Sequence, residues 1–187
     1  MHYISMNKNS FIKYLVNPLS CVYLRVGSHF IRHNKLHFNL LENHIIIRDF
    51  YIEDISSMTE LTNTLGYDTT IEQMTTRMET ILQLDNYWTF VALLDRKIVG
   101  YIGLNKSYFW EQDGHYIRIQ ALVVNEEYRR IGVGQKLIKH AEKLALQINA
   151  KLLVLNCGNR DERDSAHKFY PKIGFEPKST GYIKRIK

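Results

Sequence analysis

Residues 122–137 read LVVNEEYRRIGVGQKL. An apolar, β-rich run ends at Val124, a short polar loop follows, and Arg129-Arg130-Ile131-Gly132-Val133-Gly134 opens a helix. Backbone N–H groups at a helix start have no intrahelical partner, and the helix dipole there favours an anion. Glycine lets such a backbone come close to a ligand with no Cβ in the way. Two cations, two glycines and a helix N-terminus at one place describe a cradle for pyrophosphate.

The pattern is not a P-loop, because no Gly-Lys-Ser/Thr follows. A dinucleotide fingerprint fits better at Gly132-Val133-Gly134 but fails twice. Leu137 stands where its third glycine belongs, and the next strand, Leu152-Leu153-Val154-Leu155-Asn156, ends in no acidic residue.

Outward from the loop, the elements follow from pattern. Ile45-Ile46-Ile47-Arg48 reads as a strand. Asp54 is placed to cap a helix running to about Leu65, which Gly66 ends. Thr70 caps a second helix with Ile71, Met74, Met78, Ile81 and Leu82 on one face. Trp88 to Leu94 and Ile98 to about Tyr108 form a hairpin about Asp95-Arg96-Lys97. Tyr116 to Val124 alternates at first and becomes continuously apolar at Ala121, which suggests a strand buried in its second half, past a bulge. Val133, Leu137, Ile138, Ala141, Leu144, Ala145 and Ile148 stripe the helix after the loop. Lys151 to Asn156 is then a strand parallel to the one before. A helix from about Asp164 to Ile173 and short strands near Phe175 and at Tyr182 to Ile186 finish the chain. The order β-α-α-β-β-β-α-β-α-β-β gives an α+β fold.

Arg129-x-x-Gly132-x-Gly134 behind Leu122-Val123-Val124 resembles the coenzyme A loop of the GNAT superfamily of acyl-CoA-dependent N-acetyltransferases. Downstream, Ala166-His167-Lys168-Phe169-Tyr170-Pro171-Lys172-Ile173-Gly174-Phe175 resembles that superfamily's A-x-x-x-Y-x-x-x-G-F segment on its last long helix. The resemblance covers residues 45–187, taken as the acetyltransferase domain. It leaves residues 1–44 as an N-terminal extension. It implies a mixed, mostly antiparallel sheet with a central splayed parallel strand pair and helices on both faces. It also implies acetyl transfer from acetyl-CoA, the cosubstrate, to a primary amine in a ternary complex. Carried over by position, Leu122 and Val124 contact pantetheine, and Arg129, Arg130, Gly132, Val133 and Gly134 hold the pyrophosphate. Arg163 stands where many relatives place an asparagine on coenzyme A, and Tyr170 matches the general acid.

Two positions depart from the family pattern. Arg118 occupies the place of a glutamate base, with Gln120 nearby, while Glu111 and Asp113 read as solvated loop carboxylates. Pro171 disfavours helical geometry at Tyr170 and clashes with the carbonyl four residues back. Cys157 reads as a small half-buried residue rather than an acyl carrier, His167 as helix packing and His140 as solvated. Tyr67, Trp88, Tyr108, Trp110 and Tyr116 are candidates for an aromatic, partly acidic acceptor pocket or for the core.

Composition bounds the rest. The chain has 187 residues, 45% hydrophobic and 24% charged, enough for one globular domain. Residues 1–44 carry five basic residues against Glu42, and the other 143 carry 20 basic against 18 acidic, so most of the net +6 lies in the extension. That balance makes no case for nucleic acid, and no apolar run approaches the roughly 18 residues of a membrane span. Cys21 and Cys157 are in no metal or redox spacing, which fits the cytoplasm. His29, His33 and His37 would share a helical face, but no Cys, Asp or Glu completes a ligand set, so no metal is expected. The extension reads as a loosely attached segment, in preference to a helical appendage, a dimerisation arm (which would allow a homodimer) or an over-long gene model. The expected partner is a small-molecule amine. A non-catalytic acyl-CoA sensor and a nucleotide-binding oxidoreductase domain are the competing readings.

Overall fold

The computed structural model describes residues 14–17, 21–26, 29–32 and 44–186. The chain divides into two compact units, Met1–Ile45 and Ile46–Lys187. In the first, β1 (Tyr14–Asn17), β2 (Cys21–Val26) and β3 (His29–Arg32) form an antiparallel sheet in the order β1-β2-β3. β1 stops before Pro18, which has no N–H to give a ladder. The helical alternative is therefore not what residues 29–32 adopt. His29 lies in a strand, while His33 and His37 lie outside the described residues.

The second unit is a five-stranded sheet in the order β4-β5-β6-β7-β8. Its strands are β4 (Ile46–Asp49), β5 (Tyr87–Leu94), β6 (Lys97–Tyr108), β7 (His115–Val124) and β8 (Leu153–Leu155). All neighbours are antiparallel except β7 and β8, which are parallel. Helices α1 (Ile55–Thr64) and α2 (Ile71–Leu82) cover one face, where Met58, Leu61, Met74 and Met78 pack with Val91, Tyr101 and Val123. Helix α3 (Val133–Gln147) covers the other, burying Val133, Leu137, Ile138 and Ala141, and its His140 packs edge-on to Phe90 at 4.3 Å. Neighbouring Phe90 and Val91 thus serve opposite faces, as strand alternation requires. His140 is half-buried rather than solvated, and burial lowers its pKa.

Local chemistry explains most boundaries. Asp95 and Arg96 both adopt left-handed φ (49° and 68°), the geometry of a two-residue hairpin whose twist matches its strands. Thr70 caps α2 reciprocally with Gln73: the Gln73 N–H reaches the Thr70 hydroxyl at 3.2 Å, and the Thr70 N–H reaches the Gln73 side chain at 2.9 Å. On α2 the expected apolar face is narrower than its sequence, with Met74 and Met78 buried and Ile71 and Leu82 exposed. Helix α4 (Asp164–Lys172) keeps Pro171 in its last turn, where the loss is confined to one bond, that to the His167 carbonyl, before the helix ends. The two expected terminal strands do not form: residues 175–186 have no regular structure, and Tyr182 and Ile183 are exposed. β8 is accordingly the sheet's edge, and the parallel pair lies at its end rather than its centre. No helix among the described residues is long and apolar enough to cross a membrane.

Asp54 does not cap α1. Its buried carboxylate instead takes both Arg48 guanidinium nitrogens at 2.6 and 2.9 Å and the Tyr51 N–H at 2.9 Å, fastening β4 to the turn before α1. Burial pushes its pKa up, but the Arg48 hydrogen bond, the Tyr51 N–H and the Arg48 charge outweigh this and leave it below the usual range. A depressed carboxyl contributes stability above its unfolded value near 4 and loses it as pH falls through the folded one. Asp54→Ala should cost about 1.5–3 kcal/mol in urea denaturation at pH 7. The loss should shrink as the pH is lowered through the carboxylate range.

Candidate functional site

The site starts from one extra residue in β7. Gly103 pairs with Ala121 and Leu104 with Ile119, so Gln120 bulges out of the ladder. Before the bulge, Ile117 turns its N–H to Leu152 of the β8 side. Beyond it, Asn125 gives its N–H to Val99 on the β6 side. Antiparallel alternation then points the N–H and C=O of Leu122 and Val124 away from β6. On that side β8 pairs only with Ile117, Arg118 and Ile119. The two strands therefore part where the Leu122 backbone and the Val124 N–H are left open, the Val124 carbonyl being taken by Arg129 Nε, a slot suited to an amide-bearing chain.

At the end of the slot the loop gathers N–H groups at the start of α3. Arg130 (φ 64°) and Gly132 (φ 94°) are both left-handed, and Gly132 is the N-cap of α3. Backbone turned this way gathers successive N–H groups into a concavity. Among the described residues, none of the N–H groups from Arg130 to Gln135 donates to a protein acceptor, and the first bond of α3 is Lys136 to Gly132. Val133 offers only its N–H, since its side chain is buried. Gly134 serves packing as well as approach: a Cβ there would lie 3.3 Å from Phe169 Cζ of α4. These groups fit a pyrophosphate.

The arginines divide. Arg130 is exposed beside the N–H groups. Arg129 pairs with Glu126 at 2.9 Å and gives its Nε to the Val124 carbonyl at 3.3 Å. It lines a polar cavity of about 250 Å³ with Arg160, Arg163, Glu126 and the Thr64–Gly66 turn. Arg160 went unread in the sequence. It stacks on Tyr67 and donates to its hydroxyl at 3.1 Å. Tyr67 is thus engaged by an arginine of this cationic cavity and does not line the apolar cavity on the α1–α2 side. The Arg160-x-x-Arg163 spacing after a strand was the available sign.

Arg163 also acts on the pair behind it, opposing the rise in pKa of both Cys157 and Tyr170. Burial pushes the Cys157 thiol up despite Arg163, so it is held as a thiol, consistent with a small half-buried residue. Tyr170 packs between Phe169 and Phe175, with centroids 5.4 and 5.7 Å away. Burial first, and Cys157 second, push its phenol up to about 12. His167 is exposed rather than packed, and its Nε2 lies 2.9 Å from the Gly158 carbonyl, a tie to the loop after β8.

On the α1–α2 side of the sheet, a cavity of about 210 Å³ opens at the bulge. Met58, Met74, Met78, Ile81, Trp88 and Ala121 wall it, with Tyr101, Thr89, Gln120 and Arg77 supplying polar atoms. The Tyr101 hydroxyl shares a 2.8 Å hydrogen bond with Thr62, and Gln120 Nε2 donates to Asn105 Oδ1 at 2.7 Å. Among the described residues no carboxylate lines it, which corrects the expected acidic component. Of the five candidate aromatics only Trp88 takes part. Trp110 is fully exposed, Tyr108 is mostly so, and Tyr116 packs on Phe109. Gln120, not Arg118, faces the cavity. Glu111 and Asp113 stay in the solvated loop.

The profile of the acetyltransferase (GNAT) family matches residues 48–175. No curated protein matches the chain significantly. Among solved structures, the chain is 28% identical to a GNAT family acetyltransferase of Staphylococcus aureus, with 76% of this chain and 99% of that one covered and a TM-score of 0.66. An aminoglycoside N-acetyltransferase in complex with coenzyme A (19% identity, 77% and 95% covered, TM-score 0.67) has the same fold. So does glucosamine-6-phosphate N-acetyltransferase from Arabidopsis thaliana (22% identity, 76% and 99% covered, TM-score 0.65).

Proposed function

The chain belongs to the acetyltransferase (GNAT) family, and from that membership we propose that it moves an acetyl group from acetyl-CoA to a primary amine of a small-molecule acceptor, directly within a ternary complex. The observation that supports this most is the continuity of two features. Open backbone at Leu122 and the Val124 N–H leads into the N–H groups of residues 130–135, which no protein acceptor takes among the described residues. One is shaped for a chain of amides and the other for a pyrophosphate, in the order the cosubstrate presents them.

In this reading Arg130, Gly132, Val133 and Gly134 hold the pyrophosphate through backbone N–H and guanidinium. Arg129 joins them by exchanging Glu126 for a phosphate. Arg163 faces the same ligand from the α4 side. When bound, acetyl-CoA supplies an activated thioester carbonyl. Tyr170 Oη holds a proton at all physiological pH values and offers it as a hydrogen bond to the departing sulfur. A phenol at about 12 is a weak acid against a thiol near 8.5, so it stabilises sulfur best when it recovers a proton from the amine side. The bulge places Gln120 and Ala121 at the meeting of cavity and slot, where the amine would approach.

A thermal-shift titration tests the reading. Acetyl-CoA or coenzyme A at 100 times its dissociation constant should stabilise the fold by about 2.7 kcal/mol, and NAD should not. Stabilisation by NAD alone would overturn it. The lack of a carboxylate in the acceptor cavity favours one second reading, a non-catalytic acyl-CoA sensor. That reading predicts the same stabilisation with no thiol release from any amine.

A further inference from the structure

The acceptor cavity carries a charge pattern opposite to that needed for a polycation. Its one ionisable side chain of fixed charge is Arg77. The ion pairs among the described residues are Arg48–Asp54, Arg129–Glu126 and Lys178–Glu176, none involving Arg77. The Arg77 guanidinium touches only soft or weak partners, Met74 Sδ at 3.8 Å and Thr69 Oγ1 at 3.5 Å. A polyamine or amino-sugar would bring several ammonium groups to a wall with no carboxylate to receive them and one cation to repel them.

The remaining wall is thioether and aromatic. Methionine adapts to irregular apolar shapes, and Met58, Met74, Met78 and Trp88 surround a space of about 210 Å³. That is below the roughly 300–1,000 Å³ of drug-sized ligand sites, which limits the acceptor to one compact apolar group.

The missing base points the same way. Gln120, hydrogen-bonded to Asn105, stands at the bulge where the amine would arrive, and neither amide takes up a proton at neutral pH. An alkyl amine near 10.4 is neutral in only about one molecule in 2,500 at pH 7, whereas an α-amino group near 8 is neutral in about one in ten. A carboxylate on the same molecule raises its amine's pKa unless that carboxylate is itself paired, and pairing it is what Arg77 is placed to do.

We propose that the acceptor is an α-amino acid with a compact apolar side chain, held by that side chain among the methionines and by its carboxylate on Arg77. This rests on the acetyltransferase reading above and narrows it. It is tested by initial rates of thiol release from acetyl-CoA, with L-methionine, L-methioninamide and spermine as acceptors, in the wild type, Arg77→Gln and Arg77→Lys. Arg77 is exposed on α2, so both variants should fold. L-Methionine should exceed spermine in kcat/KM by at least about tenfold, and Arg77→Gln should cut the preference for acid over amide by about 10–100-fold, chiefly through KM. Arg77→Lys should restore part of it. Faster turnover of spermine, or an acid-to-amide ratio that Arg77→Gln leaves unmoved, overturns the acceptor assignment alone. No thiol release from L-methionine, while acetyl-CoA still stabilises the fold, also overturns the acceptor assignment alone, whereas failure of acetyl-CoA and coenzyme A to stabilise the fold overturns the transferase reading with it.

Discussion

Tyr170→Phe lowers kcat by about two to three orders of magnitude while KM for acetyl-CoA stays within about threefold. The variant keeps the ring that packs between Phe169 and Phe175 and removes only the hydroxyl. Its melting temperature should therefore stay close to that of the wild type, which separates loss of chemistry from loss of fold. The buried phenol, pushed up to about 12, also sets a pH signature. Its neutral form is kept far above neutrality, so Tyr170 imposes no alkaline fall in rate below about pH 11. Linkage runs with the same sign: the folded state holds this proton more tightly than the unfolded one. Stability is thus unaffected below pH 10 and declines as the pH rises from 10 toward 12, a decline that Tyr170→Phe should reduce. A variant with unchanged kcat would remove Tyr170 from the mechanism.

Gly100→Ala is expected to destabilise the fold by about 2–4 kcal/mol and to weaken acetyl-CoA binding along with it. A Cβ at position 100 would lie 2.6 Å from the Val123 carbonyl oxygen and 3.2 Å from Val133 Cγ1. The first is backbone next to the end of β7, and the second is the first residue of α3. Relief of the clash must move β6 away from β7, or α3 away from the sheet. Either displacement shifts Val124 or the N–H groups at the start of α3, the two parts of the proposed coenzyme site. Urea denaturation and an acetyl-CoA titration of the same sample check the two consequences together. An alanine variant with wild-type stability would mean that the strands give way more easily than their ladder implies.

Much of this was legible in the chain because it is written locally. The strand-loop-helix at 122–137 announces an anion site through residue types whose backbone behaviour is largely autonomous, and both left-handed positions fall within it. The bulge shows in the change of alternation at Ala121. Gly100 could have been found too, since an isolated glycine within a strand pattern marks a close backbone approach. What escaped depends on partners distant in sequence. Tyr182 to Ile186 suits a strand, but alternation says nothing of whether a neighbour offers an edge. Asp54 has the composition of a cap and is drawn instead to Arg48 across the turn. Tyr67 is claimed by Arg160, 93 residues away. The sign of the acceptor cavity was misread for the same reason: nearby loop carboxylates were counted, while the wall comes from helices and strands brought together by the fold.

The single surplus residue at Gln120 bears on how such a protein can change. The pairs on either side of it, Gly103 with Ala121 and Leu104 with Ile119, are already in register with β6. Deleting it would therefore leave a regular ladder, with Leu122 and Val124 still turned from β6 and Val123 still buried. What would go is the bend and extra twist that a surplus residue gives a strand, and with it the parting of β7 from β8. A deletion elsewhere in β7 instead moves every later side chain to the other face of the sheet. A library of one-residue deletions along β7 should accordingly single out position 120 as the one place where the fold survives the loss while acetyl-CoA binding does not.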